Sequence, residues 1–330
     1  MFRSKIASVG INVPENVVTN FDLEKLMDTS NEWIIERTGI RERRFVTQPC
    51  GCSQLALPAC LSAIEGAGIR KEDLDLIIVA TTTPEHSFPG TSSFLQALLE
   101  IPGVPTLDIR VQCSGFIYGL SIADAYIRAG IYRNILLVGV EVQSVGLNLT
   151  TAGRDIAVLF GDGAGAVVVT RTDDDSLVLS THLFGDGRFA KELWVDAPVG
   201  YQSPRISKEM LDEGRQYPIM NGRQVFKNAV IKFPEAIEAA LQANNLTLSD
   251  IALIVPHQAN QRITEAIAQR LGVPLEKVYS NIHKYGNTTA ASIPLAMYDA
   301  LQEGKIKKGD YVILVAFGSG FTWASAAIRW

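Results

Sequence analysis

Short, wholly apolar runs recur along the chain, and between them apolar residues return every three or four positions. DLDLIIVATT (73–82), NILLVGVE (134–141), DIALIVPHQ (250–258) and DYVILVAFG (310–318) each hold an unbroken Val/Ile/Leu stretch. A strand with one wet face alternates in polarity, whereas a strand covered on both faces does not, so these runs call for helices on either side of their sheets. Helical spacing predicts helices over 54–67, 115–129, 222–243, 261–271 and 290–302. In the second of these Phe116, Leu120, Ala123 and Ile127 fall on one face. Pro234 interrupts the third, and a kink or break is expected there. The pattern is that of an α/β protein.

The runs also come twice in the same order. An acidic turn feeding a strand (73–82, 250–258) is followed by PGVP (102–105) or LGVP (271–274). A second strand (134–141, 310–318) is followed by a stretch of small residues and a last strand (161–169, 318–328). Four such pairs, roughly 170–180 residues apart, indicate one duplicated unit and not a solenoid, whose periods are about 20–50 residues. The division falls into halves 1–172 and 173–330, and 171–220 shows little periodicity, as a junction would. GDGAGA (161–166) looks faintly like a dinucleotide-binding loop. Such a loop must open a helix, however, and the strand-forming AVVV follows, so these glycines are expected to make a tight turn between strands.

Composition narrows the class. Hydrophobic residues make up 47% of the 330 positions and charged residues 20%, as in an ordinary globular protein. No apolar run reaches the roughly 18 residues of a membrane span. The N-terminus, MFRSKIASVG, has too short an apolar part for a secretory signal, so the chain is expected to start near Met1 and work in the cytoplasm. A formal net charge of −5 argues against nucleic-acid binding. Four cysteines do not make a disulfide framework, and the C-x-C of Cys50 and Cys52 lacks the partners of a zinc site. No cofactor is expected.

Three residues could carry chemistry. Cys113 follows the extended segment TLDIRVQ and precedes a helix, so it should sit at a helix N-terminus, where free N–H groups and the helix dipole favour a thiolate. His257 ends a strand of the second unit, where ligands of α/β sheets usually bind. Asn287 lies after Gly286 in NIHKYGNTTAASIP. Each has an ordinary structural reading too: a small core cysteine, a structural histidine, and a turn or cap asparagine. His86 and His283 read as loop residues.

Taken together, VPHQANQRI (255–263), NIHKYGNTTAASIP (281–294), AFGSGFTW (316–323), DTSNEWIIERTGIRERR (28–44) and FGDGAGAVV (160–168) resemble the signature blocks of the β-ketoacyl-acyl-carrier-protein synthase III family, the initiating condensing enzymes of bacterial fatty acid synthesis. The resemblance runs nearly end to end. It implies the thiolase-like fold, two βαβαβαββ halves in a five-layered αβαβα sandwich. It also implies a decarboxylative condensation of a short acyl-CoA with malonyl-acyl carrier protein, by a homodimer. Carried over by position, Cys113 is the nucleophile and His257 and Asn287 are its partners, with backbone N–H groups of Cys113 and Ser319 as the oxyanion hole. Thr29, Trp33, Arg37, Arg154, Asn221, Gly222 and Asn260 match CoA contacts. Phe88, which reaches across the dimer, and Phe317 match the acyl pocket, and Lys227 and Arg262 match the carrier-protein patch.

Two positions depart from that family. Its three glycines are Gly318-Ser319-Gly320 here, and 198–216 is longer than usual before the MNG motif, which suggests an altered entrance and leaves room for a longer or unusual acyl starter in a specialised fatty-acid or polyketide pathway. Rival readings each lack a feature. A type III polyketide synthase has a proline where Ser319 stands. A thiolase needs a second cysteine beyond 113, and the glutamate base of an HMG-CoA synthase would have to be Glu141, whose context does not match. A non-catalytic acyl-binding subunit would not need the intact Cys-His-Asn set, and a cysteine hydrolase would release free acid.

Overall fold

A computed structural model describes residues 2–330. Its first sheet has the spatial order Arg3–Asn12, Gly163–Thr172, Asn134–Glu141, Leu76–Ala80, Thr106–Ile109. The last three strands are parallel, and Gly163–Thr172 runs antiparallel to both its neighbours. The second sheet has the order Leu177–Gly185, Thr322–Arg329, Tyr311–Gly318, Ile251–Pro256. Strand for strand it repeats the first. The counterpart of Thr106–Ile109 is reduced to one parallel bridge between Ile254 and Val278.

Each strand buries both faces because helices cover both. Side chains alternate along a strand. Ile77, Val79, Leu136 and Val138 therefore point outward onto the helices Cys52–Gly66 and Thr91–Leu99. Ile78, Ile135 and Leu137 point inward onto Gly115–Arg128 and Ser292–Gln302, which also touch Leu253, Leu314 and Ala326 of the second sheet. The outer face of the second sheet packs Ile254, Ile313 and Val315 against Gly222–Ala243 and Gln261–Leu271. The result is five layers, αβαβα, with a helix pair in the middle. The predicted apolar face of the first central helix is all interior: Phe116, Leu120, Ala123 and Ile127 are fully buried.

Two expectations need correction, and three further features went unread. The helix Gly222–Ala243 is unbroken at Pro234, because Phe233, Ala236 and Ile237 are pinned in the outer core. Gly163 and Gly165 lie within a strand, not in a turn. A Cβ on Gly165 would come within 2.6 Å of the Pro294 side chain, so glycine there lets the central helix lie close on the sheet. The seemingly aperiodic 171–220 contains the edge strand Leu177–Gly185. The long 198–216 segment folds around a small core of its own, Ala197, Val199 and Met210. A short helix, Asn31–Thr38, with Ser30 as N-cap, was not foreseen. Among the described residues no helix is long and apolar enough to cross a membrane.

Candidate active site

The strand Thr106–Ile109 passes through one short 3-10 turn, Gln112–Ser114, into the central helix Gly115–Arg128. Cys113 sits in that turn and is buried. Gln112 beside it has φ +43°, a left-handed conformation that costs a non-glycine residue about 1–3 kcal/mol and is held by its surroundings. Gly318 approaches from the second half. A Cβ there would lie 2.5 Å from Cys113 Cβ and 2.9 Å from Sγ, so glycine alone permits the approach. Burial pushes the Cys113 thiol up to about 12, and the Glu141 carboxylate adds to the rise, while the backbone N–H groups of Ser319 and Cys113 pull the other way. A resting thiolate is what the helix end predicts, and that end and two amides do face the sulfur, but desolvation by the closed core works against the charge and favours the neutral thiol.

His257 follows the strand Ile251–Pro256 and its N–H donates to Val315 O at 2.8 Å. Burial lowers its pKa to about 3, so the ring is neutral. Ser292 Oγ lies 2.6 Å from Nδ1 and also accepts the N–H of Gln258 at 3.3 Å. Having accepted once, the hydroxyl has its own hydrogen to give to Nδ1. With the hydroxyl donating to Nδ1, the ring proton stands on Nε2, as a hydrogen-bond donor; that direction is an assignment from the network.

Asn287 is held by the opposite half. Its N–H donates to Leu159 O at 2.8 Å, and its carbonyl accepts from Gly161 N at 3.1 Å. Its side-chain Oδ1 accepts from Thr289 N at 2.9 Å, which turns the Nδ2 donors the other way. Thr289, at φ +49°, and Gly286, at φ +65°, make this tight turn possible. The buried Glu141 at the end of its strand accepts from Thr82 and Thr83 hydroxyls, each at 2.8 Å. Burial raises it to about 7.

A cavity of about 450 Å³ joins these groups. Cys113, His257, Asn287, Phe317 and Gly318 line its buried part, and Trp33, Arg37, Gly222, Asn260 and Arg262 line the remainder toward solvent. Trp33 has the guanidinium carbons of Arg37 and Arg154 at 4.7 and 4.8 Å from its ring centroid. Arg154 also donates to Asp28 O at 2.7 Å, beside Thr29, whose buried hydroxyl has no partner. Asn221 and Asn260 cap the helices Gly222–Ala243 and Gln261–Leu271, so two helix N-termini meet at the opening.

Other carried-over residues stand apart from the cavity lining. Lys227 is on the exposed surface of the same long helix. Phe88 is 83% exposed, on a loop away from the chain's own cavity. The 198–216 segment does not border the cavity; its flanks, Leu193 and Met220, do. Ser319 is absent from the lining too, although its N–H faces the Cys113 sulfur. Sequence reasoning missed Ser292 and Arg223. Arg223 lines the opening from the first turn of a helix, where a cation opposes the helix dipole. That placement is itself a signal for an anionic ligand.

Comparison with known proteins agrees with this geometry. Residues 107–187 match the family model of 3-oxoacyl-[acyl-carrier-protein (ACP)] synthase III, and residues 241–330 match its C-terminal model. A β-ketoacyl-[acyl-carrier-protein] synthase III of Roseiflexus castenholzii is 46% identical over 325 residues, 98% of this chain and 97% of that protein. The crystal structure of 3-oxoacyl-[acyl-carrier-protein] synthase III from Aquifex aeolicus is similar at a TM-score of 0.91 and 43% identity, covering 99% of this chain and 100% of that one. The priming β-ketosynthase of the R1128 polyketide biosynthetic pathway is similar at a TM-score of 0.90 and 30% identity, covering 99% and 96%.

Proposed function

The chain belongs to the 3-oxoacyl-[acyl-carrier-protein] synthase III family, and from that premise we propose how its own residues run the reaction. It is an acyltransferase that condenses an acyl-CoA with malonyl-acyl carrier protein and so initiates fatty acid synthesis. Cys113 Sγ attacks the thioester carbonyl of a short acyl-CoA, and the carbonyl oxygen takes the charge against the N–H groups of Cys113 and Ser319. The C–S bond to CoA breaks. The proton that the Cys113 thiol gives up balances the one that the departing CoA thiolate takes.

Malonyl-acyl carrier protein then loses carbon dioxide. The electron pair of the broken C–C bond becomes an enolate, whose oxygen is met by His257 Nε2–H and Asn287 Nδ2–H. Both donors are neutral and already fixed by Ser292 and Thr289, so the developing charge finds them in place. The enolate carbon attacks the acyl carbonyl on Cys113, the β-ketoacyl thioester leaves, and the sulfur recovers a proton from solvent. Decarboxylation supplies the carbanion, so side chains and the covalent acyl group suffice without a resident cofactor.

Trp33, Arg37 and Arg154 take the CoA nucleotide, with Thr29, Asn221, Gly222 and Asn260 along its arm. Arg262 and the exposed Lys227 receive the acidic carrier protein, since local fields steer an encounter whatever the net charge. The protein works in the cytoplasm as a homodimer, each copy closing its partner's acyl pocket with Phe88. The exposure of that ring and the open sheet edge at Thr106–Ile109 support this. The observation that carries the site assignment is a single cavity lined by Cys113, His257 and Asn287 together with Trp33, Arg37 and Arg262. Incubation with acetyl-CoA and intact-mass analysis tests it. The wild type should gain one acetyl group and Cys113→Ala none; an adduct retained by Cys113→Ala overturns the assignment.

A further inference from the structure

Of the three loop residues 318–320, the structure leaves only the middle one free to carry a side chain. Gly318 is blocked by Cys113, and Gly320 has φ +133°, with Thr322 Cγ2 3.0 Å from the place of a Cβ. Ser319 uses that freedom. Its hydroxyl donates to the carbonyl oxygen of Leu193. Its own carbonyl accepts from Thr322 Oγ1 at 3.2 Å, and its N–H faces the Cys113 sulfur. One residue thus joins the oxyanion donor to a separate piece of chain.

That piece is a two-stranded ribbon, Leu193–Val195 paired antiparallel with Pro218–Met220. Leu193 and Met220, opposite each other in the register, both line the cavity. Ile219, on the face opposite Leu193 and Met220, is 45% exposed, so that face of the ribbon is open to solvent. Three residues a strand cannot hold themselves together in water. The ribbon also carries the start of the long helix: Asn221 N donates to Glu192 O at 2.8 Å, and Gly222 and Arg223 follow in the lining. Upstream, Asp186 and Phe321 exchange backbone hydrogen bonds of 2.8 and 2.9 Å. Beyond that clamp, the Ser319 hydroxyl ties the ribbon back to the loop.

We propose that Ser319 is a positioning residue that latches the Leu193–Met220 wall against the oxyanion loop and thereby sets the length of acyl donor the cavity admits. With the latch closed, Leu193 and Met220 keep the cavity they share with Cys113 narrow and favour short donors. Without it the wall recedes and longer chains gain access. The inference rests on Cys113 being the acylated residue, which the acetyl adduct of the wild type tests separately.

The experiment compares wild type, Ser319→Ala and Ser319→Thr after circular dichroism confirms the fold. Initial Cys113 acylation by octanoyl-CoA and acetyl-CoA is read by intact mass, and hydrogen exchange is followed in peptides spanning 193–195 and 218–220. Loss of one hydrogen bond is worth roughly five- to tenfold. Ser319→Ala should raise the octanoyl-to-acetyl efficiency ratio and speed ribbon exchange by about that factor, while Ser319→Thr, which keeps the hydroxyl, stays near wild type. A ratio unchanged in Ser319→Ala overturns the proposal. So does a changed ratio with unchanged exchange, which would place the hydroxyl's effect on the oxyanion itself. A Thr variant that behaves like Ala also overturns it. If Ser319→Ala does not fold, Ser319→Gly makes the same comparison.

Discussion

Replacing Ser292 by alanine probes the donor that the enolate needs without touching any group that meets substrate. The hydroxyl lies 2.6 Å from His257 Nδ1 and accepts the Gln258 N–H at 3.3 Å. Its removal strands two buried groups, and each costs about 1–3 kcal/mol when unpaired. Urea unfolding should therefore show a loss of about 2 kcal/mol or more.

The catalytic effect is separate. Ser292 favours the Nε2–H tautomer by about the net worth of a hydrogen bond, about 1 kcal/mol, or roughly fivefold. Complete loss of one oxyanion donor costs about 10²–10³ in rate. A ring that keeps its place but shares its proton between the two nitrogens falls between these limits. Decarboxylation of malonyl-acyl carrier protein, followed as carbon dioxide release, should fall between about fivefold and a hundredfold. Acetylation of Cys113, followed by mass, does not use Nε2–H and should change by less than about threefold. Equal losses in both half-reactions, or decarboxylation at the wild-type rate in a folded variant, would refute the tautomer argument.

Two further outcomes follow from the same geometry. His257→Ala should spare acetylation of Cys113 and lower malonyl decarboxylation by about 10²–10³; equal damage to both half-reactions would contradict the donor role. Because burial raises the Cys113 thiol to about 12, the thiolate fraction grows about tenfold per pH unit throughout the neutral range. Alkylation of Cys113 by iodoacetamide should accordingly climb from pH 7 to pH 9 without levelling. A plateau near pH 7 would restore the resting thiolate.

Much of this architecture was legible in the chain. Runs such as Leu76–Ala80 and Asn134–Glu141 are apolar without interruption because both their faces meet helices, and periodicity reports burial directly. The doubled order of those runs revealed two like units, since equivalent strands face equivalent packing. Elements with partial burial were harder. Leu177–Gly185 is an edge strand with mixed exposure, so its pattern carries little signal. The helix Asn31–Thr38 is short and polar, and its caps, Ser30 and the left-handed Gly39, are its main marks. Pro234 reads locally as a breaker, yet the helix continues through it, packed into the core on either side.

The candidate nucleophile and its partners could be named from their motifs, but not their state. Sequence alone determined that a cysteine stands at a strand-to-helix turn and that glycine flanks it. Whether that sulfur is charged depended on how tightly the two halves close around it, and desolvation is a property of the assembled core. Likewise, Ser292 and Ser319 are ordinary small polar residues until the fold brings one to the imidazole of His257 and the other to the carbonyl of Leu193. Those pairs lie 35 and 126 positions apart. Local preferences decide helices and strands, whereas hydrogen bonds between distant segments, and the burial that strengthens them, exist only once the chain has closed on itself.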